Sequence, residues 1–275
     1  MPRLAVIGCP VGHSRSPAMQ NAALTALGLA PQWSYEAIEV DAEGFAARVA
    51  AMPGEGFAGA NVTIPHKEAA LALAGAASAA AREIGAANTL SFGPAGELEP
   101  GPDAEAVAVL ADNTDAGGLL AALGGTPLDA RALVLGAGGA ARAAVWALAG
   151  EGARVEVWNR TAARARELCA QLGGRAVEDP SQPDYDLIVN TTAVGLRGED
   201  AFAELPLAAA GFGPGQTVVD MVYGEQPSAL LAAAAAAGAA TVDGLEVLVR
   251  QGALSLEIWT GRRPDLEVMR AAVRR

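Results

Sequence analysis

The sequence contains a single lysine, Lys67, although it carries 19 lysine and arginine residues in all. Arginine stays protonated at any usable pH, whereas the ammonium group of a lysine can be tuned by its surroundings to give or take a proton. All the remaining lysine or arginine positions of this chain are arginine. This usage therefore suggests that Lys67 takes part in chemistry. The alternative is an ordinary surface lysine.

The residues before Lys67 predict the start of a helix. Thr63 offers a hydroxyl near the N-cap, and Pro65 fits the first turn because its missing N–H costs nothing there. Lys67 would then lie in the first turn, where the positive end of the helix dipole disfavours an ammonium ion. This is a poor position for a purely structural cation, and it favours a role in proton transfer.

A second predicted helix start supplies a carboxylate. Asn113, Thr114 and Asp115 follow a short predicted strand, 107–110, and Asp115 lies near the first turn of the next helix. An acid at such a position is also common for electrostatic reasons alone. The presence of Lys67 at another helix start favours Asp115 as a group that shares a proton with it.

Two serines lie in a turn that leads into a helix. Ser14 and Ser16 precede the predicted helix 18–27, and hydroxyls together with free N–H groups at a helix N-terminus can receive a carboxylate. The alternative is that Ser16 only caps a helix that begins at Pro17. Both interpretations can hold at once.

A glycine-rich turn joins the predicted strand 131–135 to a helix, and the strand 154–158 follows. In a β-α-β unit such a turn lets the backbone approach the pyrophosphate of a dinucleotide at the helix N-terminus. The candidate cofactor residues in this turn are Gly136, Ala137, Gly138, Gly139 and Ala140.

The end of the second strand distinguishes two cofactors. An NAD site would place an acid there to hold the ribose hydroxyls, but this chain has Asn159, Arg160 and Thr161, with Arg164 one turn further on. Two guanidinium groups and two small polar side chains fit a 2′-phosphate, so we predict NADP. The alternative is that both arginines are exposed helix charges.

Three further predicted strands, 185–189, 217–222 and 240–242, complete a second half-sheet. Ligands of such sheets lie beyond the carboxyl ends of the strands. We expect Tyr223 to contact the substrate. The other residues that we expect at this edge belong to the cofactor site and are Asn190, Thr192, Met221 and Gly244.

Alternating strands and helices give an α/β fold with two domains. We predict an α/β substrate domain, 1–112 with 246–275, and a Rossmann-type NADP-binding domain, 113–245. The C-terminal helices 244–259 and 264–273 should pack back on the first domain. The segment 93–105, rich in proline, glycine and acids, predicts the surface loop of a hairpin.

Composition excludes several classes of protein. A net charge of −12 without a basic face argues against nucleic acid as a partner. No segment reaches membrane-spanning length, and the N-terminus runs straight into a strand, which indicates a cytoplasmic protein. Two distant cysteines and two histidines support neither a disulfide framework nor a bound metal. The sequence leaves open whether the protein is a monomer or a homodimer.

Together these stretches resemble the shikimate dehydrogenase family over nearly the whole chain. The motifs that carry the resemblance are GHSRSP at 12–17, NVTIPHK at 61–67, GAANT at 85–89, NTD at 113–115, GAGGA at 136–140, NRT at 159–161, DMVY at 220–223 and Gln251. Their order and spacing are far more specific than the dinucleotide turn alone.

The resemblance implies reversible, NADPH-dependent reduction of 3-dehydroshikimate to shikimate in aromatic biosynthesis. It implies that Lys67 and Asp115 are the acid/base pair, and that Ser14 and Ser16 bind the substrate carboxylate. The residues that it implies for the substrate hydroxyls are Thr63, Asn88, Asp115 and Gln251.

The sequence also departs from the family pattern. Gln20 replaces a frequent histidine, and Ala79 lies near the place of a frequent acid. Ala111-Asp112 precedes Asn113 where the family usually has glycine, and the loop before it, through Pro102, is longer than typical. We expect the acids near the site to bear on substrate preference. One alternative is a quinate or dual quinate/shikimate dehydrogenase, often with NAD, against which Arg160 argues. Another is a non-catalytic NADP-sensing protein, against which Lys67 and Asp115 argue.

Overall fold

The computed structural model describes residues 1–94, 107–125, 129–180 and 182–274. The chain forms two compact units, Met1–Thr114 with Gln251–Arg275, and Asp115–Arg250. Each unit contains one sheet of six strands among these described residues.

Strands are numbered in chain order. The first sheet consists of β1 (Arg3–Gly8), β2 (Ser34–Glu39), β3 (Phe57–Val62), β4 (Ala76–Ala77), β5 (Thr89–Pro94) and β6 (Val107–Asp112). The second sheet consists of β7 (Arg131–Leu135), β8 (Arg154–Trp158), β9 (Arg175–Ala176), β10 (Leu187–Asn190), β11 (Thr217–Asp220) and β12 (Ala240–Asp243).

Helices are numbered in the same way. They are α1 (Ser16–Ala26), α2 (Phe45–Ala51), α3 (Lys67–Leu73), α4 (Ala79–Ile84), α5 (Asp115–Leu123), α6 (Gly139–Gly150), α7 (Ala162–Leu172), α8 (Ala201–Glu204), α9 (Ala229–Ala236), α10 (Gly244–Thr260) and α11 (Leu266–Val273). Among the described helices, none combines the length and the apolar character that crossing a bilayer requires.

The first sheet is mixed and has the strand order β2-β1-β3-β5-β6-β4. Strands β1, β2 and β3 are parallel, whereas β5 runs antiparallel to both β3 and β6. Gly93 pairs with Ala108, so β5 and β6 are the two strands of the predicted hairpin. Most of its loop, including the segment that we expected to be longer than in the family, lies outside the described residues.

The second sheet has the order β12-β11-β10-β7-β8-β9, and every neighbouring pair is parallel. This is the order of a Rossmann fold. Strand β7 shows why its sequence is a continuous apolar run: Val134 packs into the core on one face, whereas Leu133 and Leu135 pack into the core on the other. The α/β fold with a Rossmann-type domain is confirmed.

The C-terminal helices pack on the first unit, as predicted. Nε1 of Trp259 donates to the carbonyl of Leu90 over 3.0 Å, and the Arg15 guanidinium donates to the carbonyl of Val273. A Cβ at Gly59 would lie 2.2 Å from Trp259 Nε1, so only glycine lets α10 approach β3 this closely. The carboxyl end of α10 is therefore fixed against the same sheet that carries Asn61 and Thr89.

Candidate active site

Lys67 is the first residue of α3, and its side chain is half-buried. The predicted helix start was wrong by two residues. The N-cap is His66, without a side-chain cap, and Pro65 precedes the helix. Thr63 does not cap α3 because it still belongs to the sheet edge: its N–H donates to the carbonyl of Ile7, and its carbonyl accepts from His66 in a turn.

The backbone of Lys67 is held on both sides. Its carbonyl accepts a hydrogen bond from the N–H of Ala87 over 2.8 Å. The preceding residue, His66, is buried, its ring stacks on Phe45 at 4.4 Å, and its Nε2 lies 2.6 Å from the carbonyl of Val40. That ring nitrogen carries the proton, since a carbonyl can only accept. The base of the lysine side chain is therefore rigid.

Asn88 and Gln251 come together, although they lie far apart in the sequence. Nδ2 of Asn88 donates to Oε1 of Gln251 over 3.1 Å and to Oγ1 of Thr114 over 2.9 Å. Oδ1 of Asn88 accepts from the backbone N–H of Thr114 over 2.7 Å. All three side chains are buried. Two of the predicted hydroxyl-binding residues thus form one hydrogen-bonded group.

A second layer of polar side chains lies behind this group. Asn61 donates to Thr89 and to Ser255, and it accepts from the hydroxyl of Tyr35 over 2.8 Å. Sequence reasoning assigned no role to Tyr35 or Ser255. Asn61 and Thr89 lie within the quoted motifs, and the scarcity of asparagine was the available signal for Asn61. No comparable signal existed for Ser255.

The two serines of the first turn are neighbours. Ser16 is buried, and its backbone N–H donates to Oγ of Ser14 over 3.3 Å. The alternative that Ser16 caps the helix is wrong, because Ser16 is itself the first residue of α1 and the N-cap is Arg15. The N-cap residue Arg15 makes no side-chain cap hydrogen bond, and the N-terminus of a helix suits an anionic group.

Asp115 is the first residue of α5 and is buried. The segment before it is tightly fixed. Nδ2 of Asn113 donates to the carbonyl of Ala86 over 2.8 Å, and Oδ1 of Asp112 accepts from the Asn113 N–H and from Ser78. Asp112, which we expected to depart from the family pattern, therefore joins the end of β6 to the N-cap of α4.

The glycine turn after β7 has two distinct glycines. Gly136 has a φ of 115°, and a Cβ there would lie 2.6 Å from Oγ1 of Thr191. Gly138 is the N-cap of α6, makes no side-chain cap hydrogen bond, and would have no atom within 4 Å of an added Cβ. The first glycine is required by the fold, whereas the second leaves open space at a helix N-terminus. Such space fits a pyrophosphate.

The arginines follow at the same sheet edge. Leu135 pairs with Trp158 in the parallel register of β7 and β8, so Gly136 and Asn159 leave the sheet side by side. Nδ2 of Asn159 donates to the carbonyl of Thr161 over 3.0 Å. Arg160 and Arg164 are both exposed, and Nη1 of Arg160 lies 3.8 Å from a carboxylate oxygen of Glu204. Their exposed guanidinium groups fit a 2′-phosphate.

Asn190 and Asp220 tie the next two strand ends together. Nδ2 of Asn190 donates to Asp220 over 2.9 Å, and Oδ1 of Asn190 accepts from the hydroxyl of Thr192 over 2.7 Å. Burial raises the pKa of the Asp220 carboxyl, although hydrogen bonds from Ser228, Val222 and Asn190 oppose this shift. This carboxyl was not among the predicted site residues.

The residues after β11 lie beside the start of α10. The N–H of Met221 donates to the carbonyl of Asn190 over 3.0 Å, and an added Cβ at Gly244 would lie 2.5 Å from the Met221 carbonyl. Tyr223 is half-buried in the same loop. The strand-end residues predicted for the cofactor therefore occupy one edge of the second sheet.

Comparison with known proteins decides the family. The shikimate dehydrogenase substrate binding domain matches residues 6–90, the shikimate/quinate 5-dehydrogenase family matches 121–194, and the shikimate 5′-dehydrogenase C-terminal domain matches 244–274. The shikimate dehydrogenase (NADP(+)) of Methanocella arvoryzae is 42% identical, over 98% of this chain and 97% of the relative. The chain belongs to the shikimate dehydrogenase family.

Two other members of the shikimate dehydrogenase family are similarly close. The shikimate dehydrogenase (NADP(+)) of Methylobacterium radiotolerans is 43% identical over 96% of this chain and 93% of its own length. The crystal structure of shikimate 5-dehydrogenase from Thermus thermophilus in complex with NADP(H) and shikimate is 42% identical, has a TM-score of 0.86, and covers 100% of this chain and 99% of that one. The family resemblance inferred from the motifs is confirmed.

Within this shikimate dehydrogenase fold, no group of three or more potential metal-ligating side chains occurs in the part of the chain that the structure describes.

Proposed function

We propose that this protein is an NADP-dependent shikimate dehydrogenase, which catalyses the reversible reduction of 3-dehydroshikimate to shikimate in the biosynthesis of chorismate and aromatic amino acids. The observation that carries this proposal is the full-length identity of about two residues in five to relatives named shikimate dehydrogenase (NADP(+)). The motif residues Lys67, Asn88, Asp115 and Gln251 lie within this similarity.

In the proposed reaction, Lys67 and Asp115 form the acid/base pair. Reduction of the ketone creates an alkoxide, which needs a proton, and oxidation of the alcohol must remove one. Lys67 would stabilise the oxyanion and relay its proton, while Asp115 orients the lysine and the substrate. The rigid backbone around Lys67 supports this role, because a proton is transferred only over a defined distance.

The substrate is an acid with several hydroxyl groups, and the first unit offers both kinds of partner. Ser14 and Ser16, at the N-terminus of α1, would bind the carboxylate. Thr63, Tyr223 and the Asn88–Gln251 pair would contact the rest of the molecule, together with Asp115. The buried carboxamides suit hydroxyl groups because they can both donate and accept.

The second unit would hold NADP. The turn Gly136–Ala140 would receive the pyrophosphate at the N-terminus of α6, and Asn159, Arg160, Thr161 and Arg164 would receive the 2′-phosphate. Asn190, Thr192, Met221 and Gly244 would line the same edge of the sheet. When bound, this cofactor supplies or accepts the hydride of the reaction.

The remaining expectations rest on the sequence. They include a cytoplasmic location, domain limits of 1–112 with 246–275 and of 113–245, and the absence of nucleic-acid partners, which the net charge of −12 supports. The protein is expected to be a monomer or a homodimer, and light scattering would distinguish the two.

The deciding experiment measures nicotinamide absorbance with purified protein and four substrate pairs: shikimate or quinate, each with NADP+ or NAD+. We expect rapid reduction of NADP+ by shikimate and much slower turnover of the other pairs. Faster turnover of quinate with NAD+ would identify a quinate dehydrogenase instead. Absence of turnover with either polyol acid would favour a non-catalytic NADP-sensing protein.

A further inference from the structure

Ser255 lies at the centre of a buried polar cluster in the first unit. Its Oγ accepts from Nδ2 of Asn61 over 2.8 Å, and it lies 2.9 Å from Oγ1 of Thr89 and 3.0 Å from Oγ1 of Thr114. It also donates to the carbonyl of Gln251, one helical turn earlier, over 3.1 Å. The side chain is fully buried. One hydroxyl thus connects β3, β5, α10 and the segment that leads to Asp115.

The cluster continues into the two carboxamides that we assign to the substrate. The hydroxyls of Thr89 and Thr114 have one proton each. Oγ1 of Thr114 accepts from Nδ2 of Asn88 over 2.9 Å and can donate to Ser255, whereas Thr89 can donate to Oδ1 of Asn88 over 3.1 Å. Nδ2 of Asn88 in turn donates to Oε1 of Gln251 over 3.1 Å. A change at Ser255 can therefore reach Asn88 through two hydroxyls and reach Gln251 through Asn88.

We propose that Ser255 is a positioning residue for the substrate. Its hydroxyl holds Thr89 and Thr114 where they fix the carboxamide of Asn88, and Asn88 then fixes the carboxamide of Gln251. This inference rests on the proposed function, in which Asn88 and Gln251 bind hydroxyl groups of the substrate. Ser255 acts through these residues and needs no contact of its own with the substrate.

The physical reason is the cost of unpaired groups in a buried site. Without the Ser255 hydroxyl, Asn61, Thr89 and Thr114 would each lose a hydrogen-bond partner that water cannot readily replace. The remaining hydroxyls would turn to new partners, and the hydrogen bonds to Asn88 would loosen. A carboxamide that samples several orientations binds a hydroxyl group less tightly than one that is held in place.

Tyr35 sets the outer end of the same cluster. Its hydroxyl donates to Oδ1 of Asn61 over 2.8 Å, so the amide oxygen of Asn61 faces Tyr35 and the Nδ2 group faces Ser255. The substitution Tyr35→Phe removes this donor and keeps the ring. It should therefore disturb the cluster in the same direction as Ser255→Ala, but less strongly.

The test is steady-state kinetics in which shikimate and NADP+ are varied separately. We expect Ser255→Ala to raise KM for shikimate about fivefold or more and Tyr35→Phe to raise it about twofold. KM for NADP+ should stay within about twofold of the parent value in both variants, because a loss of substrate positioning does not act on cofactor binding. Calorimetric titration of shikimate should show the same order of affinities.

The matched control is Thr260→Val, which removes a hydroxyl from the same helix. Oγ1 of Thr260 donates to the carbonyl of Leu256 over 2.7 Å, and no residue of the cluster takes part. This variant should keep both KM values of the parent.

An unchanged KM for shikimate in Ser255→Ala, or equal rises in both KM values, would overturn the inference. If Ser255→Ala does not fold, an unchanged KM for shikimate in Tyr35→Phe has the same meaning. A parent enzyme that does not turn over shikimate refutes the proposed function and this inference with it. If the parent turns over shikimate and the variants keep its KM for shikimate, only the inference about Ser255 is refuted.

Discussion

The backbone N–H of Thr114 donates to Oδ1 of Asn88 over 2.7 Å, and this hydrogen bond determines which end of the Asn88 carboxamide faces Gln251. Because the oxygen is directed to Thr114, Nδ2 is directed to Oε1 of Gln251. Oε1 of Gln251 is therefore the acceptor of this hydrogen bond between the two carboxamides. Thr114 immediately precedes Asp115, so one backbone segment both carries a member of the proposed acid/base pair and orients the carboxamides.

The first prediction concerns Lys67. The substitution Lys67→Met should lower kcat by about 10²- to 10⁴-fold, since general acid–base catalysis contributes a factor of this size. Shikimate affinity, measured by calorimetric titration, should change little. Arg82→Met is the control, because it removes an exposed cation from α4. Full activity of the Lys67 variant would contradict the proposed role.

The second prediction concerns the choice of cofactor. Arg160→Ala should raise KM for NADP+ about tenfold and leave KM for NAD+ nearly unchanged, because a charge-assisted hydrogen bond to the 2′-phosphate is lost. Arg166→Ala provides the comparison: this exposed arginine lies on α7 and pairs with Glu178. The assignment fails if both arginine variants have the same ratio of NADP+ to NAD+ turnover.

The third prediction separates the two glycines of the cofactor turn. Gly136→Ala should destabilise the protein by about 1–3 kcal/mol, because alanine is strained at a φ of 115° and its Cβ would collide with Thr191. Gly138→Ala should keep the thermal midpoint of the parent, since its φ is −99° and its Cβ meets no atom.

The affinity for NADP+ should be weakened in Gly138→Ala, the variant that keeps its stability. Gly138→Ala places a methyl group where the pyrophosphate is proposed to approach, so NADP+ titration should show clearly weaker binding. Equal stability of the two variants, or undiminished NADP+ binding by Gly138→Ala, would speak against this account of the turn.

The fourth prediction concerns pH. Burial raises the pKa of Asp220 above its usual value, so the folded state holds this proton more tightly than the unfolded state does. Its contribution to stability is present in full below the unfolded pKa of about 3.9 and is lost as pH rises through the folded pKa. The thermal midpoint of the parent, relative to that of Asp220→Asn, should therefore fall as pH rises above about 3.9.

The pH dependence of the difference between parent and variant is the test, because it reports the group whose protonation differs between the two proteins. Asp186→Asn serves as the control, because Asp186 is exposed in the same unit. A difference that grows with pH in favour of the parent would show that hydrogen bonds to the Asp220 carboxylate outweigh its burial.

Much of the fold could be predicted from local patterns. The predicted limits of β7 and β8 coincide with the observed ones, because short apolar runs bounded by turn residues have few other solutions. The pattern missed β4 and β9, which have two residues each, and α9, whose alanine and leucine residues show no helical period. These elements depend on the neighbours that they pack against.

Some residues of the candidate site could likewise be predicted from the sequence, and others could not. Motif residues such as Asn88, Thr114 and Asp115 could be found because they cluster in the sequence. Ser255 could not, since it is 194 residues from its partner Asn61 and has no distinctive neighbours. The position of the first residue of α3 also depended on the sheet, because pairing with Ile7 holds Thr63 away from the helix.

The half-buried position of Lys67 at the start of α3 has a practical consequence. Because the sequence contains no second ε-amino group, a lysine-directed label can attach to one side chain, and only the N-terminal amine competes. The rate of labelling, read by peptide mass, would therefore follow occupancy of one site in the absence of turnover. Protection by shikimate but not by an unrelated acid would make Lys67 a natural reporter group.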